Sequence, residues 1–356
     1  MPEATKDPVN DATQTADEAL ADRARHDPEL KRVNSAIRRL VLEYDRFEDA
    51  SKLLKRALTT YGDAPEGDCY LLFGPPGVGK STTIDAFVDD FGNRRREDGN
   101  LKRDVLRVNV PSRPHPGAIY RAFLTALEAP DDGSKVHEMA GLIKTQAQRQ
   151  GVRLVILDEV NHMVEDKKEK FVTTASRDLK AFLSENCFNV VLAGTEDTFR
   201  VYEHYAQIQR RGGFEYEMLA FDWESEEDRI HFLDLLGMVN DELPLPTYVE
   251  LRDFDLARKL HHASRGLPNG LMKLLAAASM EAVEAGDGTV REGHLWAGFQ
   301  SLRRMLTPTG TDLANPFKQP PNARRKVGVR FRPPVEDEPT GLSSRKASRA
   351  GGTFRK

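Results

Sequence analysis

The stretch Gly74-Pro75-Pro76-Gly77-Val78-Gly79-Lys80-Ser81 limits this chain more than any other feature, because it fits the phosphate-loop pattern G-x-x-x-x-G-K-[ST]. Glycines let successive backbone N–H groups converge on an anion, and a helix that follows turns its positive end toward the same point. Lys80 then reaches the β- and γ-phosphates, and Ser81 is placed to hold Mg²⁺. Context decides whether such a motif is real. The apolar run Cys69-Tyr70-Leu71-Leu72-Phe73 precedes it and reads as a strand. Thr83 to Val88, after it, has the spacing of a half-buried helix. Strand, loop and helix in that order are what a nucleoside triphosphate site requires.

A second run, Leu154-Val155-Ile156-Leu157-Asp158-Glu159, is apolar throughout and ends in two acids. Continuous apolar runs mark strands buried on both faces of a parallel sheet. Ligands of open α/β sheets bind at the carboxyl ends of such strands, which is where the two acids fall. Asp158 suits the holder of Mg²⁺, and Glu159 suits the residue that polarises an attacking water. Asn189-Val190-Val191-Leu192-Ala193-Gly194-Thr195 is a third buried run, and it brings a hydroxyl at Thr195 close to the γ-phosphate. Val105 to Val110 and the alternating Glu215 to Phe221 complete five strands. Helices are expected over Ala118–Leu127, Val136–Arg149 and Lys167–Glu185, and a charged loop over Asn93–Arg103. Alternating strands and helices predict an α/β fold with a five-stranded parallel sheet and right-handed crossovers.

The flanking segments divide the chain further. Residues 1–28 read as a disordered acidic arm, with room for a short peripheral helix around Ala16 to Arg25. Residues 29–61 form a helical segment with Val33, Ile37, Leu40, Val41 and Tyr44 on one stripe and a break near Tyr44-Asp45-Arg46. Tyr44 or Phe47 is a candidate to stack on adenine, although packing within the helix pair is the favoured role. The nucleotide-binding core spans 62–223, and a helical lid spans 224–306. Within the lid, helices are expected at Ser225–Leu236, Thr247–Ala263, Gly270–Ala285 and Arg291–Met305, with Ser225 as a helix start. Residues 307–356 are rich in Pro, Gly and Ser and carry Arg324, Arg325, Lys326, Arg330 and Arg332, which reads as a flexible basic tail for docking or loose nucleic-acid contact. No apolar run approaches the roughly 18 residues needed to span a bilayer. The two cysteines, Cys69 and Cys187, lie in or beside strands and are expected to be buried thiols in a reducing compartment.

Taken together, the phosphate loop, Asp158-Glu159, Thr195 and the helical lid resemble an AAA+ ATPase. More narrowly, the N-terminal helix pair, Gly74 to Thr82, Leu157-Asp158-Glu159-Val160-Asn161-His162 and Leu192-Ala193-Gly194-Thr195 resemble the TniB/TnsC family of transposition ATPases over about residues 30 to 305. The resemblance implies ATP and Mg²⁺ as cofactors, with ATP held between neighbouring subunits. It implies head-to-tail assembly on double-stranded DNA, a link from a TniQ-type adaptor to a DDE transposase, and hydrolysis that drives disassembly. It also implies a cytoplasmic, nucleoid-associated bacterial protein with no membrane partner. An arginine acting in trans would be Arg211 or Arg210, which lie between Thr195 and the last strand. Lys102, Arg103 and Arg113 flank the second strand as candidates for DNA phosphates. The lid departs from the AAA+ pattern, because Gly266-Leu267-Pro268-Asn269 has asparagine where many relatives carry arginine. Lys273 and Arg265 are the residues that could stand in, and slow hydrolysis is expected. Asn109 is a candidate to restrain Glu159 until DNA binds. A replication initiator or loader of the AAA+ type is the alternative reading.

Overall fold

A computed structural model of the chain describes residues 27–92, 95–97, 100–112, 116–129, 135–163, 182–203, 214–306 and 314–318, together with residues 18, 20, 21 and 180. Seven strands and ten α-helices are named below, all among these residues.

Helix α1, Pro28–Arg38, begins where proline can occupy a first-turn position without losing a hydrogen bond. Asp27 caps it, its carboxylate accepting from the backbone N–H of Glu29 at 2.8 Å and of Leu30 at 3.3 Å. Helix α2, Asp45–Thr59, buries Phe47, Ala50, Leu53, Leu54, Ala57 and Leu58 along one face. The break between them is longer than the stripe suggested. Because α1 stops at Arg38, Val41 falls on the connector and is 50 % exposed, not part of a buried stripe. The arm ahead of α1 also reaches the core, since Leu20 is buried beside Leu30, Ala277 and Met280.

Strand β1, Cys69–Phe73, leads through the phosphate loop into α3, Lys80–Phe91. A short antiparallel pair follows, β2 (Arg95–Glu97) and β3 (Asn100–Lys102), where a plain charged loop was expected. Strand β4 is Val105–Asn109, and helices α4 (Pro116–Ala126) and α5 (Val136–Gln150) connect it to β5, Leu154–Asp158. A single 3₁₀ turn covers Val160–Met163. Then come β6 (Asn189–Gly194), α6 (Asp197–Glu203) and β7 (Glu215–Glu217). Most of the helix expected over Lys167–Glu185 lies outside the described residues.

Strands β4, β5, β6, β1 and β7 pair in that order, all parallel. Side chains alternate between two layers, as strand geometry requires. Tyr70, Leu72, Leu154, Ile156, Val191 and Ala193 face the layer built with α2, α3 and the lid. Leu71, Val155, Leu157, Val190 and Leu192 face the layer built with α4 and α5. Burying each such aliphatic side chain is worth about 1.5–3 kcal/mol, so the central strands anchor the fold. Register then sets the site. Phe73 pairs with Gly194, Leu157 with Leu192 and Asn109 with Asp158. The phosphate loop, Asp158 and Thr195 therefore leave the sheet at one edge.

Strand β7 stops earlier than its alternation suggested. Met218 turns in, donating its N–H to the Phe73 carbonyl at 2.7 Å, and closes over the start of the loop. The lid follows as α7 (Glu226–Glu242), α8 (Phe254–Ser264), α9 (Pro268–Ala285) and α10 (Glu292–Leu306). Ser225 caps α7 by accepting from the Asp228 N–H at 3.3 Å. Gly237 does not end α7. The Arg252 guanidinium lies 2.6 Å from where a Cβ would stand, so a side chain there would push that guanidinium aside. Beyond α10, Phe317 is buried against Phe299, and Asn315 donates to the Trp296 carbonyl at 3.1 Å. The chain is thus tied to the lid past residue 307, where the flexible tail was expected to begin.

Candidate active site

Two glycines in the loop have no substitute. A Cβ on Gly74 would run into the Met218 carbonyl oxygen, and its φ of 150° is one that side chains avoid. Gly79 has φ 110° at the start of α3, and a Cβ there would lie 2.8 Å from the Tyr44 hydroxyl. That hydroxyl donates to the Val78 carbonyl at 2.9 Å. Tyr44 is buried, its ring 6.4 Å from Phe47 and 5.9 Å from Phe221, and burial pushes its hydroxyl pKa up. It braces the loop from behind, which agrees with packing as the favoured role for this ring.

Lys80 begins α3 and is 8 % exposed. Its ammonium donates to the carbonyls of Gly74 at 2.7 Å and Pro75 at 3.0 Å. Burial lowers its pKa to about 8, against the opposing pull of Asp158 and Glu159. Loop carbonyls thus hold the position of a cation that a phosphate would hold better. Ser81 and Thr82 lie exposed in the first turn of α3, at the positive end of that helix.

Asp158 is 2 % exposed. One carboxylate oxygen accepts the Glu159 N–H at 2.9 Å, and the other accepts from Arg107 at 2.7 Å. Arg107 uses its other terminal nitrogen on Asp85 of α3. Glu159 has a left-handed backbone, φ 59°, which costs a non-glycine residue about 1–2 kcal/mol. Strain of this kind concentrates where geometry serves function. The turn swings the Glu159 carboxylate half into solvent, 3.5 Å from His162 Nδ1. His162 is itself buried, and Nδ1 lies 3.0 Å from the Val110 carbonyl. Since a carbonyl can only accept, Nδ1 carries the proton in that bond. Asn161 accepts the Thr195 N–H at 3.4 Å, joining the acid turn to the end of β6.

Lys80, Ser81, Asp158, Glu159 and Thr195 line one cleft of about 560 Å³, with Pro76, Gly77, Gly79 and Thr82 on its floor. Gly74, Pro75 and Val78 stand behind, occupied by the bonds to Lys80 and Tyr44. Leu40, Val41 and Leu42 of the α1–α2 connector form an apolar wall. The fourth side is the lid. Asn269 donates its N–H to the Gly77 carbonyl at 3.1 Å, and Lys273, one turn further along α9, lines the cleft while 7 % exposed. Arg265 instead ends α8 in a left-handed conformation, away from these walls. Of the two possible stand-ins for a lid arginine, the cleft contains Lys273.

The groups that could hold a metal, directly or through a water, are hard oxygens, the Ser81 hydroxyl and the Asp158 carboxylate. Among the described residues no group of three or more His, Cys, Asp or Glu could hold an ion alone. Such a sparse set suits Mg²⁺, which keeps waters and shares phosphate oxygens. The DNA candidates fare differently. Lys102 donates to the Arg149 carbonyl at 2.6 Å from an exposed position. Arg103 is buried at 8 % exposure, bonded to the Ala126 carbonyl at 2.7 Å and to Glu128 at 3.2 Å. A guanidinium held inside this way is a structural tie and does not fit a phosphate contact. Arg113, Arg210 and Arg211 lie outside the described residues. Asn109 is exposed at the end of β4, opposite Asp158 in register.

Two residues of the site, Asp85 and Arg107, escaped the motif search, and Asn161 and His162 were read only as part of the stretch Leu157 to His162, with no role of their own. Arg107 carried a signal, as the one charge inside the apolar run Val105 to Val110. The family model described as Bacterial TniB protein matches residues 32–224. The chain belongs to the TniB family. For this TniB-family chain the matched span begins within α1 and takes in the whole sheet and the cleft residues from Ile37 to Thr195. No curated protein matches it. Among solved structures it is similar to the ORC1 protein of Aeropyrum pernix in complex with DNA, with TM-score 0.56, 18 % identity and coverage of 74 % of this chain and 66 % of that one. It is also similar to Cdc6p from Pyrobaculum aerophilum, with TM-score 0.55, 15 % identity and coverage of 76 % and 71 %. A third is the ORC2 protein of Aeropyrum pernix, with TM-score 0.52, 16 % identity and coverage of 71 % and 67 %. These likenesses establish the AAA+ fold. With the TniB family, this fold marks the chain as an ATPase.

Proposed function

We propose that this protein is an ATP-dependent regulator of transposition. It assembles head to tail on double-stranded DNA and connects a TniQ-type adaptor, which selects the target, to a DDE transposase. ATP hydrolysis drives disassembly. The observation that carries this reading is the single cleft that unites Lys80, Ser81, Asp158, Glu159 and Thr195 in a TniB-family chain.

A triphosphate entering the cleft draws Lys80 off the Gly74 and Pro75 carbonyls, a trade the lowered pKa favours because the ammonium gains a true anion. Ser81 and Asp158 are the residues to hold Mg²⁺, which supplies charge neutralisation on the phosphates when bound. Glu159 orients the attacking water from its raised, half-exposed position. Thr195 meets the γ-phosphate. Arg211, or Arg210, of a neighbouring copy completes the charge, a role that suits a planar guanidinium. Head-to-tail contacts that do not close on themselves generate a filament. DNA contacts to phosphates make binding sequence-tolerant and salt-sensitive. An AAA+ replication initiator or loader would share the cleft, and the likeness to ORC1 in complex with DNA extends to fold alone.

Negative-stain imaging with duplex DNA and a non-hydrolysable ATP analogue tests the proposal. Nucleotide-dependent filaments, retained by Glu159→Gln and lost in Lys80→Ala, are expected. Absence of any DNA-bound assembly with nucleotide present overturns it.

A further inference from the structure

Arg107 is the charge that the strand pattern leaves unexplained. It sits in β4, paired in register with Ile156, two residues before the position opposite Asp158. Its guanidinium bonds the buried Asp158 carboxylate on one side and Asp85 on the other. Asp85 lies four residues after Ser81 on α3, so the two share a helix face. One rigid, planar side chain therefore spans the two elements that carry the oxygen donors, the α3 helix of Ser81 and the β5 strand of Asp158.

We infer that Arg107 is a positioning residue for magnesium, holding the Asp158 carboxylate aimed and fixing its spacing from the helix of Ser81, with Asp85 as the outer anchor. The physical need is plain. A carboxylate that is 2 % exposed is costly without partners. Asp158 has two, the Glu159 N–H and Arg107, one on each oxygen. Each oxygen keeps a further lone pair, so a carboxylate oriented in this way still accepts from a metal-bound water. Asp85 has a side chain that is 61 % exposed, and its hold on the second nitrogen stops the guanidinium from rotating with the carboxylate. The inference rests on the ATP site proposed above and adds a residue to it.

The test is a linkage measurement that needs no turnover. Affinity for a fluorescent, non-hydrolysable ATP analogue is measured with Mg²⁺ and with EDTA, and the ratio of the two is the magnesium factor. Partners that orient metal ligands typically matter about 10- to 100-fold in metal affinity. Arg107→Gln should lower the factor about tenfold, and Asp85→Asn should lower it by a smaller amount. In an Asp158→Asn background, Arg107→Gln should lower it no further, because the effect runs through Asp158. If Arg107→Gln fails to fold by circular dichroism, the more exposed Asp85→Asn carries the test. A reduced melting temperature with an unchanged factor would make Arg107 a mere tie between sheet and helix, and the inference fails. A raised factor would mean that Arg107 repels the metal, which also overturns it. If the parent protein binds no analogue even with Mg²⁺, the fault lies with the ATP reading itself.

Discussion

Tyr44→Phe separates bracing of the phosphate loop from contact with nucleotide. The substitution removes one oxygen and leaves the ring packed against Phe47 and Phe221, so it opens almost no cavity. What disappears is the 2.9 Å bond to the Val78 carbonyl, which then lies buried without its donor. A net hydrogen bond is worth about 1 kcal/mol, and an acceptor left unsatisfied raises the cost to about 1–3 kcal/mol. For a domain of about 150–250 residues each kcal/mol moves the melting temperature by about 2–4 °C, so a fall of a few degrees is expected. Val78 lies inside the loop whose N–H groups must converge on phosphate. ATP-analogue affinity should therefore weaken several-fold without being lost. Differential scanning calorimetry and isothermal titration on the same preparation read both quantities. Unchanged melting temperature and unchanged affinity would refute the bracing role. Unchanged melting temperature with affinity abolished would mean that the hydroxyl touches the nucleotide directly.

Other expectations follow from the same geometry. Gly74→Ala forces a Cβ into the Met218 carbonyl at a φ side chains avoid, so it should destabilise the chain and abolish analogue binding; a variant with parent affinity would show the loop to be pliable. Leu71→Ala, in a fully buried central strand, should cost about 2–5 kcal/mol in urea denaturation, and a loss well under 1 kcal/mol would mean that the layer can collapse around the gap. Lys80 should titrate near pH 8 in the free protein, and a bound triphosphate favours its charged form, so analogue affinity should fall as pH rises from 7 to 9. The stability effect has the opposite sign: the folded state releases this proton before the unfolded state does, so stability should rise between about pH 8 and 10.5, and Lys80→Met should flatten that slope. Arg103→Ala should lower stability by about 1–3 kcal/mol while leaving the salt dependence of DNA binding unchanged, because its guanidinium is committed to Ala126 and Glu128; a flatter slope would return it to the DNA surface.

Much of the core was legible because burial on both faces leaves a simple mark. Leu154 to Leu157 and Val190 to Ala193 are apolar without interruption, and their ends carried the acids and the hydroxyl of the cleft. Spacing within a motif is local, so Lys80, Ser81, Asp158, Glu159 and Thr195 could be found without coordinates. Features that depend on pairing between distant segments could not. The Arg95–Lys102 hairpin has no alternation to announce it, and its existence rests on backbone register. Arg103 looked like a surface charge until Glu128 and the Ala126 carbonyl, over twenty residues away, were seen to claim it. Val41 fell on an apparent stripe only because the stripe was carried past the end of α1 at Arg38. Arg107 gave a sign, a charge inside an apolar strand, but its meaning needed Asp85 and Asp158 in space.

Helix α1 packs on α9, whereas α2 packs on α3 and on strands β1, β6 and β7. The short connector between them forms the apolar wall of the cleft. The pair thus links the lid helix α9 to the sheet through a connector whose residues line the cleft. Any displacement of α9 against the sheet would therefore pull on Leu40, Val41 and Leu42.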